Sequence, residues 1–260
     1  MKQNGLLYED IENYYAHLSS WDLWAQGNHN REIKEKSIIC ISYMWEGDSA
    51  ATTISVRDFP KLFKKDRFND YEVLRAYKDI RDTASLTVAH NGDSFDTKEI
   101  NGRLLKHRLG PLAPIKSIDT LKVAKKYFRL MSNRLDYIAH YLGIGRKIKM
   151  DLDDWHGCEI GDIESFKKME KYNRYDVKGL LKPVCIELLP YMQQLQTYNK
   201  MMSLINSKGH SALTCQKIGC NSIDGQFRGW YTATQRRWRC NKCGGWSIFT
   251  KALCDKLGVV

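Results

Sequence analysis

The sequence predicts an α/β fold, a mixed sheet flanked by helices, followed by a small C-terminal β unit with clustered cysteines. Three observations predict it. β-branched runs open the chain, short apolar runs then alternate with segments of helical periodicity, and two closely spaced cysteine pairs come last. With 43% hydrophobic and 27% charged residues, the 260-residue chain can bury one full core and carry a second small unit.

Three strands are predicted before residue 57. The first is Leu6–Glu12, an apolar stretch that ends in acids. The β-branched runs Ser37–Tyr43 and Ala51–Val56 follow, and Glu46-Gly47-Asp48 between them favours a tight turn. We therefore expect these three strands to form a meander.

Helices and strands are predicted to alternate after residue 70. Apolar spacing favours a helix over Tyr71–Asp82, a strand over Leu86–Ala89 and then a helix that stops at Gly110. Ile115–Ile118 is a further candidate strand. Asp119, which follows it, is predicted to cap the next helix.

Predicted caps and prolines mark where the remaining helices begin and end. Ser132-Asn133 is predicted to cap a helix that Gly143 closes. The acidic stretch Asp151–Gly157 is expected to be a solvated loop, because its acids have no partner geometry. Helical structure is predicted from Ile163 to about Ser207, with a break at Pro183.

Carboxylates on three separate segments are predicted to converge. Side chains alternate along a strand, so Asp10 and Glu12 share one face. Asp96 begins a helix directly after a strand, where α/β folds place reactive groups. Tyr172 and Asp176 are four residues apart and share one helix face. Any one of these acids alone would more often be a cap or a solvated charge, so the prediction depends on the set.

Four carboxylates can share one site in the ionised state only if cations neutralise them. Hard oxygen ligands suit Mg²⁺ or Mn²⁺. Two such ions, about 3.5 to 4 Å apart, can clamp the attacking and leaving oxygens of a phosphodiester. The sequence therefore predicts a site for two Mg²⁺ or Mn²⁺ ions.

Three short motifs resemble, in order and spacing, the exonuclease motifs of the DnaQ-like 3′-to-5′ exonucleases, which have the ribonuclease H fold. The resemblance covers roughly residues 6–181, and the tyrosine is similar to that of the DEDDy branch. Stand-alone predicted exonucleases of phages and bacteria, and the proofreading domains of family B polymerases, share the pattern. The motifs are Asp10-Ile11-Glu12, Asn91-x-x-x-Phe95-Asp96 and Tyr172-x-x-x-Asp176.

The resemblance implies a role for each motif residue. Tyr172 would hold the attacking water, and Asn91 and Phe95 would shape the pocket for the terminal nucleotide. A phenol with a pKa of about 10 is a poor base at neutral pH, so Tyr172 is expected to orient the water and not to deprotonate it. The implied metal ligands are Asp10, Glu12, Asp96 and Asp176.

Three positions differ from related patterns. Lys171 stands where the histidine-type branch of the family has its general base, so that branch does not fit. Glu9 stands where the family usually has an apolar residue, and Asn13 stands where a threonine is common. We expect Glu9 to point to the face of the sheet opposite Asp10 and to affect packing more than chemistry.

Four of the eight cysteines form two pairs, Cys215-x4-Cys220 and Cys240-x2-Cys243, with 19 residues between the pairs. This spacing is close to that of a four-cysteine structural zinc site, and the whole segment resembles a zinc ribbon. Gly244 allows the tight turn that such a site requires. His210 is a further candidate ligand, and reduced thiols without metal are the alternative.

The segment between the cysteine pairs interleaves aromatic and basic residues on a predicted β ribbon. Arginines suit phosphates and aromatic rings suit bases, so this ribbon is predicted to bind nucleic acid. The alternative is a basic tail that only supports the preceding helix. We predict an exonuclease domain over residues 1–207 and a zinc-ribbon domain over 208–260. The predicted nucleic-acid contacts are Arg228, Trp230, Arg236, Arg237, Trp238 and Arg239.

The positive charge is concentrated in the C-terminal segment. Of the net +11, residues 197–260 contribute 10 Lys and Arg against 2 Asp and Glu, which leaves 31 against 28 for residues 1–196. This asymmetry favours a polyanionic partner. No apolar run reaches the ~18 residues of a membrane span, and acids occur early in the chain. We therefore expect no membrane partner and a cytoplasmic location, that of the host if a phage encodes the chain.

These observations predict a metal-dependent 3′-to-5′ exonuclease that acts on nucleic acid, with DNA favoured over RNA. We expect no polymerase within the 260 residues. A structure-selective endonuclease on the same fold is one alternative. A non-catalytic nucleic-acid-binding module is another, although such a module gains nothing from four acids that face phosphate.

Overall fold

A mixed β-sheet organises the N-terminal part of the protein. The structure is a computed structural model that describes residues 4–19, 31–195, 197, 201, 215, 220 and 222–256. Five described strands form this sheet in the order β5-β4-β1-β6-β7, and β2 pairs with β3 in a separate hairpin. The strands are β1 Asn4–Asn13, β2 His17–Ser19, β3 Arg31–Lys34, β4 Ile38–Trp45, β5 Thr52–Ser55, β6 Ala84–Ala89 and β7 Lys116–Asp119.

The strand β1 is central because it pairs along both edges. It runs antiparallel to β4 and parallel to β6, and β6 runs parallel to β7. The predicted meander of β1, β4 and β5 is confirmed, with the β2–β3 hairpin inserted between its first two strands. Leu6, Leu7 and Tyr8 are fully buried, as expected for a strand covered on both faces.

Helices cover both faces of the sheet. One core packs Leu6 and Tyr8 with α4, α5 and α8, and the other packs Ile11 with α2, α3 and α7. The helices are α1 Pro60–Lys65, α2 Tyr71–Arg81, α3 Asp96–His107, α4 Thr120–Tyr127, α5 Leu135–Tyr141, α6 Leu152–Ile160, α7 Ile163–Tyr175, α8 Lys182–Leu188 and α9 Lys251–Lys256. No helix within the described ranges is long and apolar enough to cross a membrane.

One predicted cap is confirmed and another is wrong. Asp119 Oδ1 accepts hydrogen bonds from Leu121 N at 3.0 Å and Lys122 N at 3.3 Å, which caps α4. The helix α5 instead has Arg134 at its N-cap and no side-chain cap. Ser132 lies two residues before this N-cap, and its Oγ accepts from Arg134 N at 3.3 Å, so it stabilises the approach to the helix.

The predicted solvated loop at 151–157 is also wrong, because this stretch begins α6. Asp151 accepts from Asp154 N at 3.1 Å, and Asp154 accepts from Asp151 N at 2.9 Å. This reciprocal pair is a capping box with aspartate at its third helical position. The acids that suggested a loop therefore start a helix, which Gly161 ends with a φ of +90°.

The helical structure does not break at Pro183, contrary to the prediction. Residues Asp176–Leu181 form a π-helical segment that continues α7 and leads into α8, whose second residue is Pro183. Proline lacks the backbone N–H that a regular helix uses for its i-to-i−4 hydrogen bond. The wider π turn before Pro183 lets the helix continue without that hydrogen bond. Gly179 leaves room for the Tyr175 ring, because a Cβ at residue 179 would lie 2.4 Å from that ring. The predicted helix from residue 195 to about 207 lies largely outside the described residues.

The C-terminal unit is an antiparallel three-stranded sheet in the order β10-β9-β8, comprising β8 Gly225–Thr232, β9 Gln235–Cys240 and β10 Trp246–Thr250. Trp238 and Phe249 are buried in its small core, with ring centroids 5.9 Å apart. These strands confirm the predicted β unit.

Glu9 is buried on the face of β1 opposite Asp10, as predicted, and is 2% exposed. Arg81 Nε lies 3.2 Å from Glu9 Oε2, and the Tyr77 hydroxyl donates to the same carboxylate. Burial raises the pKa of Glu9, and the Arg81 charge opposes that rise. A fixed ion pair therefore replaces the apolar side chain expected here.

Arg81→Leu should destabilise the protein by about 3–5 kcal/mol, because it leaves the buried Glu9 charge without its cationic partner. The double variant Glu9→Leu, Arg81→Leu should lose less stability than Arg81→Leu alone, because it removes both charges. Urea unfolding of the single and double variants measures this coupling. Additive losses would contradict a specific ion pair.

Candidate functional site

Three acids from distant parts of the chain meet beside the central strand β1. Asp10 and Glu12 lie on β1, and Asp176 lies where α7 passes into the π-helical segment. One carboxylate oxygen from each lies within 4.8 Å of the others. Asp176 is fully buried, and among the described residues its Oδ1 has no hydrogen-bond partner. A buried carboxylate oxygen without a partner is a suitable ligand for a hard cation.

Lys147 is the cation that balances these acids. Its Nζ lies 2.8 Å from the Tyr172 hydroxyl and forms an ion pair with Asp176 Oδ2. Asp136 fixes the segment, because its carboxylate accepts from Lys147 N at 2.7 Å and from Arg146 Nη1 at 2.8 Å. Sequence reasoning missed Lys147. The basic run 146–149 was the one available signal, and nothing in the periodicity indicated where that run points.

The carboxyl groups of this triad hold protons more tightly than usual. Burial, followed by the charges of Asp96, Asp176 and Glu12, raises the pKa of Asp10 well above its usual value. Burial raises the pKa of Glu12 to about 8, although Lys147 opposes the rise. Burial also raises the pKa of Asp176 against the charge of Lys147. A single lysine therefore leaves much of the negative charge uncompensated, which is the condition that favours cation binding.

Asp96, the fourth predicted ligand, stands beside the triad and outside the 4.8 Å group. It is buried at the start of α3, and its Oδ1 accepts from the backbone N–H of Ile11 at 3.3 Å. Burial and the nearby Glu9 charge raise its pKa to about 7. Asp96 in turn raises the pKa of Asp10, so the two carboxylates are close enough to repel each other.

Tyr172 and Asn173 complete the polar shell. Burial raises the pKa of the Tyr172 phenol, so it remains protonated at neutral pH. Asn173 Nδ2 donates to Asp10 Oδ2 at 2.7 Å, which orients that carboxylate. Sequence reasoning missed Asn173, although it directly follows the motif tyrosine. Its amide is fully buried, which is unusual without a specific partner.

The two residues assigned to the nucleotide pocket lie on either side of the acids. Asn91 has a φ of +71°, its N–H donates to Asp119 Oδ1 at 2.9 Å, and it lines an open groove of about 1000 Å³ that reaches Asp10 and Tyr172. Phe95 is 42% exposed and lines a recess of about 300 Å³ next to Glu12. Trp155 borders both cavities.

The predicted cysteine cluster is present as a group of four thiols. One sulfur from each of Cys215, Cys220, Cys240 and Cys243 lies within 4.8 Å of the others. Burial opposes ionisation of Cys240, but hydrogen bonds from the backbone of Cys243 and Lys242 lower its pKa to about 6. Four sulfurs at this spacing, one of them a thiolate at neutral pH, fit a closed tetrahedral zinc site. His210 lies outside the described residues.

The ribbon residues predicted to contact nucleic acid divide between exposed and buried positions. Arg228, Arg237 and Arg239 are exposed, and Trp230 is 51% exposed with the Arg236 guanidinium 5.5 Å from its ring. Trp238 is only 3% exposed and packs in the core of the unit, so the expectation that it stacks on a base is corrected. Trp246, which sequence reasoning missed, is 40% exposed next to Arg239.

Comparison with known proteins identifies related sequences and folds. Residues 32–182 match the family described as the RNase H superfamily, a range that includes Asp96, Tyr172 and Asp176 and begins after Asp10 and Glu12. The chain is 27% identical over 159 residues to a DNA polymerase III PolC-type of Ureaplasma parvum serovar 3 (strain ATCC 700970). That match covers 58% of this chain and 10% of the polymerase, so the chain spans about a tenth of that relative.

A solved structure has a similar fold. The family B DNA polymerase from the hyperthermophilic archaeon Pyrobaculum calidifontis matches with a TM-score of 0.54 and 14% sequence identity. The match covers 77% of this chain and 28% of the polymerase chain. At this identity the likeness concerns the fold alone.

The raised pKa of Glu12, about 8, predicts pH-dependent binding of divalent cations. Below pH 8 a cation must displace the Glu12 proton, and the raised pKa values of Asp10, Asp96 and Asp176 add further protons, so affinity for Mn²⁺ should rise by at least about tenfold per pH unit between pH 6 and 7. Mn²⁺ titrations at several pH values measure this. Glu12→Gln should bind more weakly with a shallower pH dependence, and Glu164→Gln, an exposed acid on α7, should match the parent. An affinity independent of pH would contradict the prediction.

The cysteine geometry predicts one zinc ion per chain. Cys240→Ala should lose this zinc, because three thiolates remain, whereas Cys254→Ala should keep it. Cys254 is a matched control, since it is buried in the same unit and lies outside the four-sulfur group. Metal analysis of the purified variants measures the ratio, and a zinc-free parent would support reduced thiols instead.

Proposed function

The chain belongs to the RNase H superfamily, and we propose that it is a divalent-metal-dependent 3′-to-5′ exonuclease. The observation that carries this proposal is the convergence of Asp10, Glu12 and Asp176, with carboxylate oxygens within 4.8 Å of one another at the end of an open groove. Three carboxylates this close together, Asp176 buried and Asp10 and Glu12 half-buried, are costly for a protein to maintain. A role in holding cations explains why they are together.

The proposed ligands are Asp10, Glu12 and Asp176, with Asp96 as the fourth. All are hard oxygen donors, which fit Mg²⁺ or Mn²⁺ and not a soft metal. When bound, two such ions would stabilise the negative charge on the attacking and leaving oxygens of a phosphodiester. Asn173, through its bond to Asp10 Oδ2, holds one ligand in position.

Tyr172 is proposed to orient the attacking water. Its oxygen accepts from Lys147 Nζ at 2.8 Å, and its hydroxyl also donates to the Asp176 carboxylate, so the phenol proton must turn from Asp176 to a water oxygen in this role. A water held in this way keeps a lone pair for attack on phosphorus. Because the pKa of the phenol is raised, Tyr172 does not remove the proton from that water. Lys147 is therefore a positioning residue for Tyr172 as well as the counter-charge of Asp176.

The ribbon is proposed to retain nucleic acid near this site. The exposed Arg228, Arg237 and Arg239 suit phosphates, and the exposed rings Trp230 and Trp246 suit stacking. We favour DNA over RNA as the substrate, and we assign the exonuclease to residues 1–207 and the zinc ribbon to residues 208–260. One structural zinc held by the four cysteines would stabilise this ribbon.

Hydrolysis of end-labelled strands tests the proposal. With Mg²⁺ or Mn²⁺, 5′-labelled single-stranded DNA should shorten stepwise, and 3′-labelled DNA should release labelled mononucleotide at once. The same assay with RNA strands of the same sequence shows whether the enzyme prefers DNA or RNA. Asp10→Ala and Asp176→Ala should each lower the rate by more than about 100-fold, since loss of groups that only support ligands already costs 10- to 100-fold. Release of oligonucleotides would favour the endonuclease alternative.

Tyr172→Phe separates the proposed orienting role from a base role. It should lower kcat about 10- to 100-fold, with KM little changed and with the pH profile of kcat unaltered. Glu164→Ala, on an exposed acid of α7, should retain the parent rate and is the control for the charge lost in Asp10→Ala and Asp176→Ala. A parent that binds strands but cuts none of them would favour the binding-module alternative.

A further inference from the structure

The open groove beside the acids has a distinct wall of positive charge. Five cations line it together with the carboxylates Asp10 and Asp136, within the part of the chain that the structure describes. Arg146 is paired with Asp136 and Lys147 with Asp176. Lys125, Arg134 and Lys149 are exposed, and no carboxylate partner is found for them among the described residues. These three cations are therefore free to bind an anion from outside the chain.

The wall is built from three different elements, which gives it a defined shape. Lys125 comes from α4, Arg134 from the start of α5, and Lys149 from the segment that Asp136 fixes through the backbone of Lys147. His90 sits between them as a neutral residue, because burial lowers its pKa to about 4. His90 therefore adds no positive charge to the groove at neutral pH.

Apolar side chains line the same groove between the cations. Met131 is 94% exposed, and Ile148, Met150 and Trp155 are partly exposed. The Trp155 ring lies edge-on to the Tyr172 ring, with centroids 6.2 Å apart, so an aromatic surface reaches the acids. Cations interleaved with apolar and aromatic surface are the combination that binds unpaired nucleotides, with phosphates on the charges and bases on the rings.

We propose that Lys125, Arg134 and Lys149 bind the phosphates of a single strand of nucleic acid and lead its end to the acids. This inference rests on the proposed function and names the strandedness of its substrate. The exposed apolar and aromatic side chains between the cations favour a single strand, because the bases of a duplex are paired with each other and cannot stack on these rings. A duplex must therefore fray before its end reaches Asp10.

Salt dependence of binding tests this role without catalysis. Labelled oligo-dT and oligo-U are titrated in the Asp10→Asn background, with no added Mg²⁺ or Mn²⁺ and no chelator, so that any zinc is retained. Each phosphate contact on a single strand contributes about 0.7 to the slope of log K against log[salt]. Lys125→Gln, Arg134→Gln, Lys149→Gln together should reduce the magnitude of that slope by about 2.

The matched control is Lys61→Gln, Lys64→Gln, Lys65→Gln, which removes the same charge from exposed positions on α1. It should leave the slope unchanged. A groove variant with the parent slope overturns the proposal, and so does an equal loss in both triple variants. If the groove variant does not fold, the single variants should each lower the slope by about 0.7.

A comparison of single-stranded with duplex ligands tests the assignment to single strands. The groove variant should lose affinity for single strands and keep the parent affinity for a blunt duplex of equal length, and the reverse result overturns the assignment to single strands. Because none of these titrations requires hydrolysis, a failed exonuclease assay leaves this test intact. A changed slope with no activity would refute the exonuclease and retain the groove.

Discussion

The repulsion among Asp10, Glu12 and Asp176 is the constraint on which the rest of this site depends. Two like charges about 4 Å apart repel by about 4 kcal/mol at an effective dielectric constant of ~20, and this site brings together three carboxylates, of which Asp176 is buried and the other two are half-buried. Lys147 offsets part of that cost, and Asp136 fixes the segment that carries it. The remaining cost appears as raised pKa values, so the ion-free site is partly protonated.

The acids on the two faces of β1 have their negative charge compensated in two different ways. Glu9, on one face, has a permanent partner in Arg81 and therefore stabilises the fold without binding anything. Asp10 and Glu12, on the other face, share one lysine with Asp176 and remain available to external cations. One residue of register separates a structural carboxylate from a proposed catalytic one, which makes the pairing of β1 with β4 and β6 critical to function.

Local patterns predicted what depends on local geometry. Strand alternation placed Asp10 and Glu12 on one face, helical spacing placed Tyr172 next to Asp176, and the cap at Asp119 follows from its own neighbours. Lys147 was beyond reach, because its position depends on a contact with Asp176 across 29 residues and on a segment without periodicity. Trp238 was misassigned, because the irregular pairing of β8 with β9 hides which face of the ribbon is buried.

The two candidate metal centres have different donor atoms, sulfur in one and oxygen in the other. This difference determines which ion each centre prefers. Zinc binds nitrogen, oxygen and sulfur sites more strongly than magnesium does, so the carboxylates alone cannot reject it. The lowered pKa of Cys240 keeps a thiolate ready at neutral pH, whereas a cation must first displace a proton from Glu12. Scarce zinc should therefore fill the sulfur cluster first and leave the oxygen site to the abundant hard cations.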